Sequence, residues 1–211
     1  MGGLLPTDEN GADRIVLGLL NSVETDGTRS QRRIAAELGV ALGLVNAYLK
    51  RAVKKGLVKV GSAPARRYAY YLTPQGFSEK SRLTVQYLSD SFSLFRKAKE
   101  DYMQIFDRAR AMGFQKIVLA GRSDLCEIAL LCAVDSPISI VALVDPDEAA
   151  PRFLGIEVFH SYEDVDVPFD AVVVTHLTQA RSAFEHAIAK FGAEKVMAPD
   201  LLGLRPSGKG G

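Results

Sequence analysis

Between Arg29 and Arg67 the sequence carries ten basic residues (Arg29, Arg32, Arg33, Lys50, Arg51, Lys54, Lys55, Lys59, Arg66 and Arg67) and one acid, Glu37. A solvated face normally mixes its signs, so an imbalance this sharp suits a surface that neutralises the phosphates of a nucleic acid. Inside it, Gly43, Asn46, Ala47, Lys50 and Lys54 recur at helical spacing and share one face. An asparagine amide pairs bidentately with adenine, and the two ammonium groups can reach phosphate or guanine. A second set of candidate groups lies far along the chain. Gly121-Arg122-Ser123 and Asp145 follow two apolar runs, with 24 residues from Gly121 to Asp145, where a dinucleotide fold holds pyrophosphate and ribose. Thr175 and His176 end a third apolar run in the same manner. No Ser/His/Asp or Cys/His set, metal-spaced cluster or catalytic carboxylate pair occurs, so the chain is not expected to be an enzyme. Cys126 and Cys132 read as small buried side chains, and His160 as a loop residue.

The elements that must position these groups differ between the two ends of the chain. Overall, 26 basic and 25 acidic residues give a net charge of +1 over 211 residues, which names no partner. Residues 1–112, however, hold 18 basic against 11 acidic residues, and residues 113–211 hold 8 against 14. Such asymmetry points to a nucleic-acid surface at the front and a different task at the back. In the front half, Ile15, Leu19 and Val23 stripe a first helix. Ser30 caps a second, Gln31 to Leu38, which Gly39 ends. A third runs from Ala41 to Lys55 with Val45, Leu49 and Val53 as its buried stripe. Leu57 to Val60 and Arg67 to Leu72 then form a hairpin wing, whose Arg66 and Arg67 would lie on phosphate, and Thr73-Pro74 opens another helix. A helix, a Gly turn and a second helix exposing Asn and Lys is the layout in which a recognition helix enters the major groove.

The segments Gln31-Arg32-Arg33, Leu42-Gly43-x-Val45-Asn46, Lys55-Gly56-Leu57-Val58-Lys59 and Tyr68-Ala69-Tyr70-x-Leu72-Thr73-Pro74-x-Gly76-x-x-Glu79-Lys80 resemble the MarR-type winged-helix regulators associated with bacterial exopolysaccharide gene clusters. The resemblance spans residues 14–102 and implies DNA binding and transcriptional control. From Pro74 to Met112, Leu88, Phe92, Phe95, Tyr102, Phe106 and Ala109 recur as a heptad seam, which predicts a long helix that pairs two copies of the chain; because aromatics make the seam thicker than a leucine zipper, packing against its own wing or the second domain is the alternative.

In the second half, Lys116 to Ala120, Ile138 to Val144, Ala171 to Val174 and Lys195 to Ala198 read as strands buried on both faces, with Ile156 to Phe159 as an extra one. Helical patterns separate them, so a parallel sheet of four or five strands with Rossmann-like order is expected. The glycine fingerprint is broken at Ser123 and Cys126, and Asp124 at the helix start would repel a phosphate. A dinucleotide site, another small ligand in the same crevice and an empty structural fold all stay open. Gly121 with Glu127-Ile128-Ala129, Ile140-Val141-x-Leu143-Val144-Asp145-x-Asp147 and Leu154-Gly155-Ile156-x-Val158 resemble the nucleotide-sugar-binding N-terminal domain of bacterial sugar O-acyltransferases over residues 115–200.

The expectation is therefore an α/β chain with an N-terminal winged helix-turn-helix (1–73), a long connecting helix (74–112), a Rossmann-like parallel-sheet domain (113–204) and a flexible tail (205–211). Its expected partners are double-stranded DNA, a second copy of itself and a small-molecule effector. A nucleotide sugar leads for that effector, and NAD(H) is the alternative because redox-sensing repressors join the same two domains in the same order. No metal is implied. A small nucleotide-dependent enzyme fused to a DNA-binding module, or a protein-docking module, are the competing classes. No apolar run is long enough to span a membrane and no export signal is visible, so cytoplasm is the expected location.

Overall fold

The computed structural model describes residues 9–63 and 67–205. The chain divides between Ser91 and Phe92 into two compact units, each with its own buried core. In the first, α1 (Glu9–Thr25), α2 (Gln31–Leu38) and α3 (Leu42–Lys54) precede an antiparallel hairpin of β1 (Val58–Ala63) and β2 (Arg67–Leu72), and α4 (Pro74–Ala111) follows, its residues from Phe92 onward belonging to the second unit. Leu19, Leu20 and Val23 of α1 pack with Ile34 of α2, Val45 and Leu49 of α3 and Leu83 of α4. Ser30 caps α2 by accepting the Arg33 amide at 3.3 Å. Gly39 ends the helix at φ 64°, a left-handed backbone that a Cβ would penalise.

On α3 the buried stripe is Val45, Leu49 and Ala52, and Val53 is exposed. Each four-residue step overshoots a full turn by about 40°, so two steps from Val45 carry residue 53 off the stripe. The expected burial of Val53 is corrected accordingly, and its side chain joins the outer face.

The junction after the wing is tightly built. The Thr73 hydroxyl donates to the Gly56 carbonyl at 2.6 Å and accepts the Gly76 amide at 3.0 Å. A Cβ added to Gly76 would stand 2.0 Å from the Leu57 carbonyl oxygen, so the backbones can touch there only without one. Farther along α4, Glu79 pairs with Arg82 and Lys80 with Glu24 of α1. The Leu72 to Lys80 motif is thus a brace joining the wing base to α4 and α1.

The second unit contains β3 (Lys116–Ala120), α5 (Asp124–Val134), β4 (Ser139–Val144), β5 (Arg152–Phe153), β6 (Ile156–Phe159), β7 (Ala171–Val174), α6 (Ala180–Phe191) and β8 (Val196–Met197). Its sheet runs β5-β6-β4-β3-β7-β8. All neighbours are parallel except β5 and β6, so the expected four or five parallel strands become six with one antiparallel. Leu154 at φ 48° and Gly155 at φ 87° form the two-residue turn that folds β5 back on β6, a turn whose positive φ values match the strand twist. Ile117, Leu119, Leu143 and Val173 face α4 and α5, whereas Ala120, Val172 and Val174 face Phe184 and Ala187 of α6. Helices therefore cover both faces of the sheet, which explains the unbroken apolar runs.

The predicted seam of α4 divides. Tyr102, Phe106 and Ala109, with Ala98 and Ile105, are buried beside Ile117, Leu119, Leu125 and Ala129 in the core of their own unit. Leu88, Phe92 and Phe95 are exposed. The seam as a continuous pairing surface is corrected, and its C-terminal half follows the alternative of packing on the second domain: heptad spacing reports an apolar face but not whose core receives it. Of the expected tail, only Arg205 is described. No helix among the described residues is long and apolar enough to cross a membrane.

Candidate functional site

On the first unit, the α2–turn–α3 segment and the wing build one continuous face. Gly43, Ala47, Lys50 and Lys54 are exposed along α3, Asn46 is half-buried beside them, and Arg32 is exposed on α2. A groove of about 420 Å³ runs between α3 and the wing, lined by Asn46, Lys50 and Val53 on one side and by Val60, Tyr68 and Tyr70 on the other. Gln31 closes one end, donating from its side-chain amide to the Tyr70 hydroxyl at 3.0 Å. Gln31, Val53 and Tyr68 are not among the DNA-contact residues read from sequence, because helix–wing proximity is a tertiary fact; the Tyr68–Tyr70 alternation is the available signal. Arg66 and the side chain of Arg67 lie outside the described residues.

The cations are not equivalent. Arg29 pairs with Glu37 at 2.8 Å and with Asp26 at 3.7 Å, with its side chain only 18% exposed. Arg33 shares Glu37 at 3.2 Å, and Ser22 donates to the same carboxylate at 3.0 Å. Burial pushes the Glu37 carboxyl up, but the Ser22 hydrogen bond and the Arg29 and Arg33 charges outweigh it and hold the group below its ordinary range. Arg29 is therefore a strut between α1 and α2 rather than a free cation. Arg32, Lys50, Lys54, Lys55 and Lys59 enter no ion pair among the described residues.

On the second unit, a crevice of about 360 Å³ opens at the C-terminal ends of β3, β4 and β7. Strands β4 and β7 flank β3, so the crevice sits where the chain reverses its direction across the sheet, the place where open α/β sheets hold ligands. Arg122, Ser123, Asp145 and His176 line it, and the structure thus brings together four residues picked from sequence. The other two sit behind the wall. Gly121 has φ 100°, and a Cβ there would meet the His176 Cβ at 2.4 Å. Thr175 is fully buried and donates its hydroxyl to the Gly121 carbonyl, so neither it nor Gly121 presents a group to a ligand.

Two of the amides that a phosphate-binding loop would offer, those of Arg122 and Leu125, are already used within the chain. The Arg122 amide donates to the Asp145 carboxylate at 2.6 Å, and the Asp147 amide to its other oxygen at 3.0 Å. The Leu125 amide donates to the Ser123 hydroxyl at 3.0 Å, and that hydroxyl donates to the Thr175 carbonyl. The Arg122 guanidinium pairs with Glu148 and lies 4.8 Å from the Phe153 ring centre. The Ala150 amide, followed by Arg122, holds the Glu148 carboxyl below its usual range. His176 Nδ1 accepts the Gln179 amide at 3.3 Å. Asp124, Glu127, Asp145, Asp147 and Glu148 give the lining a strongly acidic balance. Burial pushes the nearby Cys126 thiol up to about 12, which leaves it protonated and unreactive at neutral pH. No group of three or more His, Cys, Asp or Glu able to hold a metal ion occurs among the described residues.

Asp145 is buried while satisfying two backbone amides. Asp145→Ala is expected to cost about 2–3 kcal/mol, because both amides lose a charged acceptor. Denaturant unfolding followed by circular dichroism checks this; a loss below about 0.5 kcal/mol would mean that the amides find other partners.

Residues 13–59 match a family model described as winged helix-turn-helix DNA-binding. No curated protein matches the chain. Similar solved structures include the PcaV transcriptional regulator of Streptomyces coelicolor, at 20% identity over 47% of this chain and 75% of that one, with a TM-score of 0.38. MepR, a transcription regulator of the Staphylococcus aureus multidrug efflux pump MepA, is 24% identical over 50% of this chain and 76% of its own, with a TM-score of 0.36. A Mycobacterium tuberculosis MarR family protein in complex with p-aminosalicylic acid is 20% identical, with a TM-score of 0.34; the match covers 39% of this chain and 64% of that protein. Together with the geometry, the family match identifies the N-terminal unit as a winged helix-turn-helix domain.

Proposed function

We propose that the chain is a MarR-type transcriptional regulator that binds duplex DNA as a homodimer and responds to a small molecule held by a Rossmann-like C-terminal domain. The observation that carries the reading is the α3 face, where Asn46 and Lys50 line a groove with the wing, Lys54 is exposed one turn on, and neither lysine enters an ion pair among the described residues. Asn46 reads a base edge, Gly43 and Ala47 let the helix approach the groove floor, and Arg32, Lys50 and Lys54 reach phosphates. Arg66 and Arg67 extend the phosphate contacts along the wing. Arg29, already paired with Glu37 and Asp26, supports the α1–α2 junction. Fluorescence anisotropy with duplex from the upstream region of the chain's own gene tests this. The logarithm of the affinity should fall with that of the sodium chloride concentration at a slope of about −0.9 per phosphate neutralised; salt-independent binding, or none, overturns the reading.

The effector site is the crevice above β3, β4 and β7. Tyr102 of α4 donates to the Val174 carbonyl at 3.1 Å, and the next residue, Thr175, is bonded to both Gly121 and Ser123. The crevice wall is thereby tied to the part of α4 that lies in the second unit, and ligand binding is proposed to act on DNA binding through that helix. A nucleotide sugar or NAD(H) would have to bring its diphosphate into an acidic lining where the Arg122 and Leu125 amides are already bonded within the chain. Melting curves with UDP-glucose, GDP-mannose and NADH are expected to show no shift, although a ligand at about 100 times its Kd would add roughly 2.7 kcal/mol. A clear rise in Tm with any of the three restores the nucleotide reading. Control of exopolysaccharide genes rests on the resemblance of residues 14–102, and mapping the operator tests it.

A further inference from the structure

The second unit has an outer face that neither the DNA surface nor the crevice uses. Between the C-terminal half of α4 and α5 lies a groove of about 400 Å³, with Phe95, Met103 and Leu131 on its walls and the buried Phe106 and Ile128 as its floor. Met103 is 51% exposed, Leu131 60%, and Val134, one turn beyond on α5, 79%. Large apolar side chains clustered in this way on two adjacent helices form a patch that water covers poorly. The rim is polar and carries both signs, as an interface rim does. Lys99 stands on the α4 side and Asp135 at the end of α5, and neither enters an ion pair among the described residues.

We infer that this α4–α5 groove is the surface through which two copies of the chain pair. A two-fold axis lays a patch against itself, so the patch must carry its own complement. An apolar centre flanked by an unpaired cation on one helix and an unpaired anion on the other meets that condition: rotation brings Lys99 of each copy toward Asp135 of its mate. This inference rests on the dimer part of the proposed function and places the contact on the second unit, in α4 and α5.

Light scattering on the full chain after gel filtration tests it. The wild type should have twice the 22.9 kDa chain mass. Leu131→Asp and Val134→Asp each remove an exposed apolar contact and should weaken the dimer about 30-fold or more, as a central interface residue does, with unchanged circular dichroism. Lys99→Asp and Asp135→Lys should each weaken it, and the double variant should recover most of the loss. A wild-type dimer unaffected by all four variants overturns the assigned surface while leaving the dimer intact. A monomeric wild type that still binds duplex overturns both surface and dimer but spares the DNA-binding reading. Recovery in the charge-swapped double variant supports the pairing even if Leu131→Asp fails to fold.

Discussion

Asn46→Ala is expected to lower affinity for the cognate duplex about 30-fold or more, and Lys50→Ala to lower it for all duplexes alike. The two outcomes differ because the two side chains do different work. An asparagine bidentate to adenine contributes about 1–3 kcal/mol of discrimination, and a symmetric dimer uses the contact twice, once in each half-site. Its removal should therefore narrow the gap between cognate and scrambled sequence. A lysine on phosphate carries no sequence information, so its loss should leave that gap unchanged and reduce the salt slope by about one per contact. Anisotropy titrations at several sodium chloride concentrations, with cognate and scrambled duplex, separate the effects. If Asn46→Ala weakens both duplexes equally, Asn46 is a spacer and base reading belongs elsewhere on α3 or on the wing. Ala47, exposed on the helix, and Tyr68, opposite it on the wing, are the next candidates.

Gly76→Ala is expected to cost about 3 kcal/mol or more, at the upper end for overpacking a close contact. The added methyl would need the space held by the Leu57 carbonyl, 2.0 Å away, and that obstacle is backbone, not a side chain that can rotate. Relief requires the start of α4 to move away from the wing base. That movement would break the Thr73 hydrogen bonds to Gly56 and Gly76 and disturb the base of the hairpin carrying Tyr68 and Tyr70. Stability and DNA affinity should fall together, whereas Thr73→Val, which keeps the volume and loses only the hydroxyl bonds, should cost about 1–2 kcal/mol. Denaturant titrations of both variants measure the difference. A Gly76→Ala protein as stable as the wild type would show that the brace is looser than the geometry indicates.

The parts of this fold that are legible in sequence are those whose causes are local. The start and stop of α2 follow from Ser30 and Gly39, each acting on backbone within a few residues. The strands β3, β4 and β7 follow from apolar runs that only a sheet covered on both faces requires. What sequence misassigns depends on partners distant in the chain. The ring of Tyr102 satisfies a pairing seam and a domain core equally well, and only the position of β3 and α5 decides between them. A strand of two residues, such as β5, has no period to detect. The crevice shows both sides of this limit. The spacing of Gly121 and Asp145 indicates two strand ends, which the structure places beside one crevice, but the bond from the Arg122 amide to Asp145, which occupies one backbone donor of that loop, exists only after β3 and β4 have paired.

The outermost strands of the six-stranded sheet, β5 and β8, are two residues long each. Arg152 occupies one, and Pro199 follows two residues after the other. A neighbouring polypeptide therefore finds almost no row of free amides and carbonyls to extend, and a charge or a missing N–H meets it where it tries. The consequence is resistance to fibril growth by strand addition: a domain so rich in valine and isoleucine can be concentrated without its sheets joining end to end, and ordered contacts between copies are left to its helices.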